Sequence, residues 1–252
     1  MTHIRIDRTD HGVGIITLDD ERRRNALSLE LCEELTDAVT SLEEDSSVGA
    51  LVVTGAPPAF CAGADLTQLG DSAEDGLRRI YDGFLSVART GLPTVAAVNG
   101  PAVGAGLNLA LACDLRIAGA SARFDCRFLE LGIHPGGGHT WMLRRIVGPQ
   151  TAAAMVLCGE VLDADSAVQR GLAWERTDDE ELLARATGLA AAAAAVPRDL
   201  SLATKATLSE VVDLSTHGEA VDLELAKQLE SMNEPAFAER LAKLKAKVHG
   251  AG

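Results

Sequence analysis

Asn99–Ala110 reads NGPAVGAGLNLA. Glycine and alanine fill it at places where a backbone has to come close to something else. A second stretch of the same kind, FCAGADL at Phe60–Leu66, stands earlier in the chain. Each follows a run that reads as a buried strand. The later one continues straight into a helix, where free N–H groups and the positive end of the helix dipole meet. Two loop N–H groups facing each other can hold a developing oxyanion, a large electrostatic effect in acyl chemistry. One such loop would mean no more than tight helix–strand packing. A pair after neighbouring strands points to chemistry.

Groups able to move a proton lie further on, in FDCRFLELGIHPGGGHT at 124–140. They are Asp125, Arg127, Glu130, His134 and His139. His134 precedes a proline, which favours an extended backbone that could aim the ring into a pocket. An imidazole suits proton transfer near pH 7. Each residue also has a plain structural use. Asp125 and Arg127 fit a surface or subunit-interface pair, Glu130 a solvated carboxylate, His134 a structural histidine, and His139 the cap of the following helix. Asn108 stands alone among apolar neighbours. It is either an amide bonded to a nearby loop or a contact to a ligand.

The elements that must position these residues alternate. Ile4–Asp7 and Val13–Leu18 read as strands around the His11-Gly12 turn. Leu31, Leu35, Val39 and Leu42 recur at helical spacing behind Ser28, a plausible N-cap. Gly49–Thr54, Pro93–Val98 and Leu115–Ala118 read as buried strands, with helices over 71–90 and Val103–Ala112 between them. That order is an α/β fold with a parallel sheet. Beyond residue 140 the strand pattern ends. Helices are predicted over Trp141–Val147, Thr151–Cys158, Asp163–Arg170, Glu180–Val196, Leu200–Leu214, His217–Met232 and Pro235–Val248. The run Ala190–Ala195 is read as a helix packed closely on a neighbour.

Composition narrows the function. The 252 residues are 47% hydrophobic, enough for one sizeable core. A net charge of −14 disfavours nucleic acid and anionic membranes as partners. It leaves anionic small ligands open where arginines cluster locally. The N-terminus alternates apolar and charged residues and reads as no signal peptide. The longest apolar run, Leu189–Val196, is far too short to span a bilayer. The five cysteines are scattered, without a CxxC pair. Reduced thiols in a cytoplasm and no metal site are expected. GPAVGAGLN is not a GxGxxG after a strand, which argues against a nicotinamide enzyme.

Five segments in collinear order resemble the crotonase (enoyl-CoA hydratase/isomerase) superfamily. They are RRRNALSLELCEEL at 22–35, LVVTGAPPAFCAGADL at 51–66, PTVAAVNGPAVGAGLNLALACDLRIAGASARF at 93–124, LGIHPGGGHTWMLRRIVG at 131–148 and PAFAERLAKLKAK at 235–247. The resemblance implies an α/β fold with a crotonase-like ββα spiral core over 1–195 and a helical C-terminal trimerisation region over 196–252. It implies a homotrimer or a homohexamer of stacked trimers, an acyl-CoA substrate, and no cofactor beyond the coenzyme A carried by that substrate. It places the oxyanion N–H groups at Ala64 and Ala105, where alanine replaces a usual glycine. Arg22, Arg24, Ala62, Asp65 and Leu66 match segments lining the CoA nucleotide pocket. Phe237 and Arg240 match a C-terminal aromatic and cation that reach a CoA.

The resemblance also exposes a departure. Hydratases of this family use two glutamates, and their positions hold Asn108 and Phe128 here. An amide takes up no proton at neutral pH, and phenylalanine exchanges none. The expected activity is nominally enoyl-CoA hydration, with proton transfer moved to Glu130 or His134. In an extended segment Glu130 shares a face with Phe128. Isomerisation, hydrolysis and decarboxylation on the same fold are alternatives. So is a non-catalytic acyl-CoA-binding protein that has kept the pocket and lost the chemistry.

Overall fold

The computed structural model describes residues 2–68 and 73–249. Two compact units divide at residue 195, Met1–Ala195 and Val196–Gly252.

The first unit begins with β1 (Ile4–Arg8) and β2 (Val13–Leu18). Then come α1 (Leu29–Glu44), β3 (Ala50–Gly55), α2 (Ala73–Arg89) and β4 (Thr94–Val98). The Ser28 hydroxyl caps α1 by accepting from Leu31 N at 3.1 Å, as its residue type predicts. After β4 come β5 (Pro101–Val103), α3 (Ala105–Ala112), β6 (Leu115–Gly119) and β7 (Arg123–Asp125). The unit closes with α4 (His139–Leu157), β8 (Leu162–Asp163), α5 (Ala164–Gln169), β9 (Glu175–Thr177) and α6 (Asp179–Ala194).

The main sheet has the order β1-β2-β3-β4-β6-β9, antiparallel at β1 and parallel elsewhere. Strands β2, β3 and β4 are buried along their whole length. That explains their continuous apolar runs, since a parallel sheet is covered on both faces. On one face Val13, Ile15, Val52, Val95 and Ile117 pack with Leu182, Ala186 and Ala190 of α6. Each buried aliphatic side chain contributes about 1.5–3 kcal/mol. The alanine run does what small residues permit. A Cβ on Gly49 would lie 2.9 Å from the Ala194 Cα, so α6 sits almost on the backbone. Helices α1 and α2 pack equally closely where Gly83 meets Cys32.

Several elements depart from expectation. Helix α3 starts at Ala105 rather than Val103, because Pro101–Val103 pairs with β7 as a strand of a second sheet, β5-β7-β8. Strands do not end at residue 140: β8 and β9 follow, and β9 borders the main sheet. Its sequence, ERT, has no apolar pattern. It is seated instead by Arg116, whose carbonyl accepts from Trp174 N at 2.8 Å and whose Nε donates to Leu172 O at 2.7 Å. The two helices expected around residue 148 form one run broken at Gly148 (φ 75°, ψ 173°), just before Pro149. The helix expected over 71–90 is α2, and residues 71–72 lie outside the described residues.

The second unit holds α7 (Arg198–Glu210), α8 (His217–Met232) and α9 (Pro235–His249). Thr216 and Glu219 form a capping box at the start of α8. Among the described residues, no helix is long and apolar enough to cross a membrane.

Candidate active site

Two small-residue loops are tied together by backbone. Asn99 clamps the ends of β3 and β4, its Nδ2 donating to Gly55 O at 2.7 Å and its Oδ1 accepting from Gly55 N at 3.2 Å. Beyond that clamp, Cys61 N donates to Pro101 O at 3.1 Å and Val103 N to Cys61 O at 3.0 Å. Cys61 therefore pairs with Ala102 in parallel register. Contact is so close that a Cβ on Gly106 would fall 2.2 Å from Cys61 O, and one on Gly63 2.9 Å from Val103 O. Ala64 and Ala105 each stand three residues beyond that paired position. Among the described residues, neither amide N–H finds an acceptor. Gly104 (φ 52°) turns the chain into α3, so the Ala105 N–H belongs to the open first turn of that helix.

The far side of the Cys61–Asp65 loop rests on Arg24–Leu27. Ala62 N donates to Arg24 O at 3.0 Å, Leu27 N to Gly63 O at 2.7 Å and Asp65 N to Leu27 O at 3.0 Å. Buried Asn25 fixes this corner, with Nδ2 donating to Ala56 O and Ala59 O at 2.8 Å each. Arg22 and Arg24 are exposed at the rim. The Asp65 carboxylate accepts from the Thr67 hydroxyl at 2.6 Å, and Leu66 is exposed. Phe237 and Arg240 lie one turn apart on α9 of the second unit, both exposed.

Behind Ala105 lies a buried polar chain. Asn108 donates through Nδ2 to Gly136 O at 3.0 Å and accepts through Oδ1 from His139 Nδ1 at 2.6 Å. A carboxamide oxygen only accepts, so His139 carries its proton on Nδ1. Its Nε2 then accepts from the Cys126 thiol, 3.1 Å away. The His139 ring stands edge-on to Phe128, 4.9 Å between centroids. Burial pushes His139 down to about 4 and the Cys126 thiol up to about 12, so both are neutral near pH 7. The glycine run is what lets this loop close. A Cβ on Gly136 would lie 2.2 Å from the Tyr81 hydroxyl, and one on Gly137 2.4 Å from Phe84 Cζ.

Sequence reading placed His139 as the cap of α4, and this is corrected. The N-cap is Gly138, without a side-chain bond, and the imidazole turns inward to Asn108 and Cys126. Of the two readings of Asn108, the loop-bonding amide is the one seen. Glu130 and His134 are not brought to this cluster. Glu130 is exposed and pairs with Arg127 at 3.1 Å, while His134 is exposed with Nδ1 2.7 Å from Pro135 O. Asp125 and Arg127 do pair, with Arg127 Nε donating to Asp125 Oδ2 at 2.9 Å. Cys126 was missed: a single cysteine in a polar segment gives no spacing to read.

The family model described as enoyl-CoA hydratase/isomerase matches residues 8–245. The chain belongs to the enoyl-CoA hydratase/isomerase family. It is 53% identical to the protein named "Probable enoyl-CoA hydratase EchA14" of Mycobacterium tuberculosis, over 92% of this chain and 94% of that one. It is 34% identical to 4-chlorobenzoyl coenzyme A dehalogenase-2 of an Arthrobacter species, over 97% and 91%. The crystal structure of enoyl-CoA hydratase from Bacillus anthracis superposes with a TM-score of 0.92 at 30% identity, over 97% and 96%. The crotonase-like α/β core expected from the sequence is therefore the fold observed.

Proposed function

We propose that this member of the family is an acyl-CoA enzyme that binds a thioester carbonyl between the N–H groups of Ala64 and Ala105 and stabilises the enolate formed there. The observation that carries this reading is the pair of N–H groups, without an acceptor among the described residues, on two loops locked by the Cys61–Ala102 pairing. Donors fixed before reaction stabilise charge without reorganising, an effect worth roughly 2.7–4 kcal/mol for one such donor. The relatives' names are consistent with it, since the hydratases and the dehalogenase alike are named for coenzyme A compounds.

Hydration or double-bond isomerisation needs a group that accepts and returns a proton. We assign this role to His139, neutral, buried and oriented by Asn108. It replaces Glu130 and His134, whose exposure removes them from the buried cluster. The rim arginines Arg22 and Arg24, with Ala62, Asp65 and Leu66, are assigned to the CoA nucleotide, and Phe237 and Arg240 to a further CoA contact. No cofactor is needed besides the substrate's coenzyme A. A homotrimer or homohexamer in the cytoplasm completes the reading. It is supported by the exposure of Leu131, Trp141, Leu157 and Trp174 and by cysteines that form no disulfide among the described residues.

Asn108 and Phe128, in place of the two glutamates, favour a second reading, a non-catalytic acyl-CoA binder. Steady-state hydration of crotonyl-CoA, followed by loss of the enoyl-thioester absorbance, separates the two. It is paired with calorimetric titration of an unreactive acyl-CoA. Turnover that disappears in His139→Gln supports the enzyme, binding without turnover on any enoyl-CoA supports the binder, and no binding refutes both.

A further inference from the structure

The buried chain Cys126–His139–Asn108 has the three parts of an activated nucleophile: a thiol, a base within hydrogen-bond reach of it, and a group that orients the base. The sulfur lies 3.1 Å from Nε2, and Nδ1 lies 2.6 Å from Asn108 Oδ1. Asn108 selects the tautomer, because its oxygen takes the Nδ1 proton and leaves the Nε2 lone pair directed at sulfur. A second link is independent of these side chains. Gly104 N donates to Asp125 O at 2.9 Å, so the backbone that carries Cys126 is bonded to the residue before Ala105. Thiol and oxyanion donor are thus anchored to one stretch of chain. A Cβ at Gly104 would meet Cys126 O at 3.8 Å and Phe128 Cζ at 3.9 Å, so Gly104 packs in van der Waals contact with the turn that carries the thiol.

We propose that Cys126 is a nucleophile that accepts the acyl group of a bound CoA thioester, giving the site a thioester-hydrolysing activity beyond proton transfer at carbon. This rests on the acyl-CoA reading of the site. Sulfur attacks the thioester carbon as its proton passes to His139 Nε2, and the carbonyl electron pair moves onto oxygen between Ala64 and Ala105. Burial disfavours a resting thiolate–imidazolium pair, so proton transfer accompanies formation of the carbon–sulfur bond. Collapse breaks the bond to the CoA sulfur, which takes the proton from Nε2 and leaves as the free thiol. Water then attacks the acyl-cysteine, giving its proton to Nε2, and collapse releases the carboxylic acid and restores the Cys126 S–H. The sum is thioester plus water to acid plus CoA thiol. Asn108 is a positioning residue throughout.

Butyryl-CoA is the probe, because it has no double bond to hydrate. The protein is mixed with it, quenched in acid and weighed by intact mass spectrometry. Released CoA thiol is followed in parallel, and binding of an unreactive thioether analogue is titrated on the same preparations. The expected result is thiol release, with any butyryl adduct mapping to Cys126, both lost in Cys126→Ala and slowed at least about 100-fold in His139→Gln. Asn108→Asp, which places a carboxylate against Nδ1, is expected to move the acidic limb of the pH profile upward, a change that a merely structural amide would not produce. Binding of the analogue with neither adduct nor thiol release overturns the nucleophile and leaves the acyl-CoA reading standing. Release that survives in Cys126→Ala also overturns it. Absence of binding overturns both.

Discussion

A protein carrying His139→Gln is expected to lose part of the acid sensitivity that the native chain shows. His139 is 1% exposed and bonded on both sides, to Asn108 and to Cys126. Burial lowers it from 6.5 to about 4. The unfolded chain therefore takes up a proton on this residue through a range in which the folded chain does not. Stability rises with pH wherever the unfolded state binds more protons. The contribution is complete above 6.5 and is lost as the pH falls toward about 4. At ~1.36 kcal/mol per pH unit, that span is worth about 3 kcal/mol. Carboxylates such as Asp45, Asp163, Glu175 and Asp179, held low by hydrogen bonds, add their own acid sensitivity. Their share is common to both proteins and cancels in the comparison. Urea unfolding from about pH 7 down to about pH 4.5, with an NMR titration of the imidazole, reads both quantities. Parallel stability curves for the two proteins, or an imidazole titrating at its ordinary value in the folded chain, would refute the reasoning.

Other perturbations test the frame and the assignments. Gly106→Ala drives a methyl to within 2.2 Å of Cys61 O. It should lower unfolding stability by about 1–3 kcal/mol and weaken acyl-CoA binding with it, because the contact it breaks aligns Ala64 with Ala105. Asn25→Ala leaves the carbonyls of Ala56 and Ala59 without the donor that meets them at 2.8 Å. It should cost about 3 kcal/mol in urea unfolding. His134→Ala removes an exposed ring bonded to the adjacent Pro135 carbonyl. Its turnover should stay within about twofold of native, whereas His139→Gln should lose at least about 100-fold.

Much of the frame was legible because physics writes it locally. Buried parallel strands demand continuous apolar runs, and β2, β3 and β4 supply them. Ser28 and the apolar spacing of Leu31, Leu35 and Leu42 announce α1. Strand β9 was not legible, because its place is set by a buried guanidinium, not by its own residues. Arg116 gathers the carbonyls of Leu172 and Cys113 at 2.7 Å each, and burial lowers its basicity. The site was half legible. Small residues in two loops marked where backbone approaches backbone, and the structure puts Gly106 against Cys61. Which polar side chains turn inward depended on tertiary closure. Glu130 and His134 had the better chemistry on paper, yet the Gly136-Gly137 turn over Tyr81 and Phe84 carries His139 inward and leaves His134 outside. A helix-start position suggested a cap for His139, and a partner 31 residues away, Asn108, decided otherwise.

The most direct test of the central claim is a crystal structure with an intact acyl-CoA bound, prepared from Cys126→Ala to block transfer. The thioester oxygen is expected within about 3.2 Å of both the Ala64 and Ala105 nitrogens, with the acyl α-carbon toward His139. A thioester carbonyl lying elsewhere, with either amide unengaged, would contradict the account.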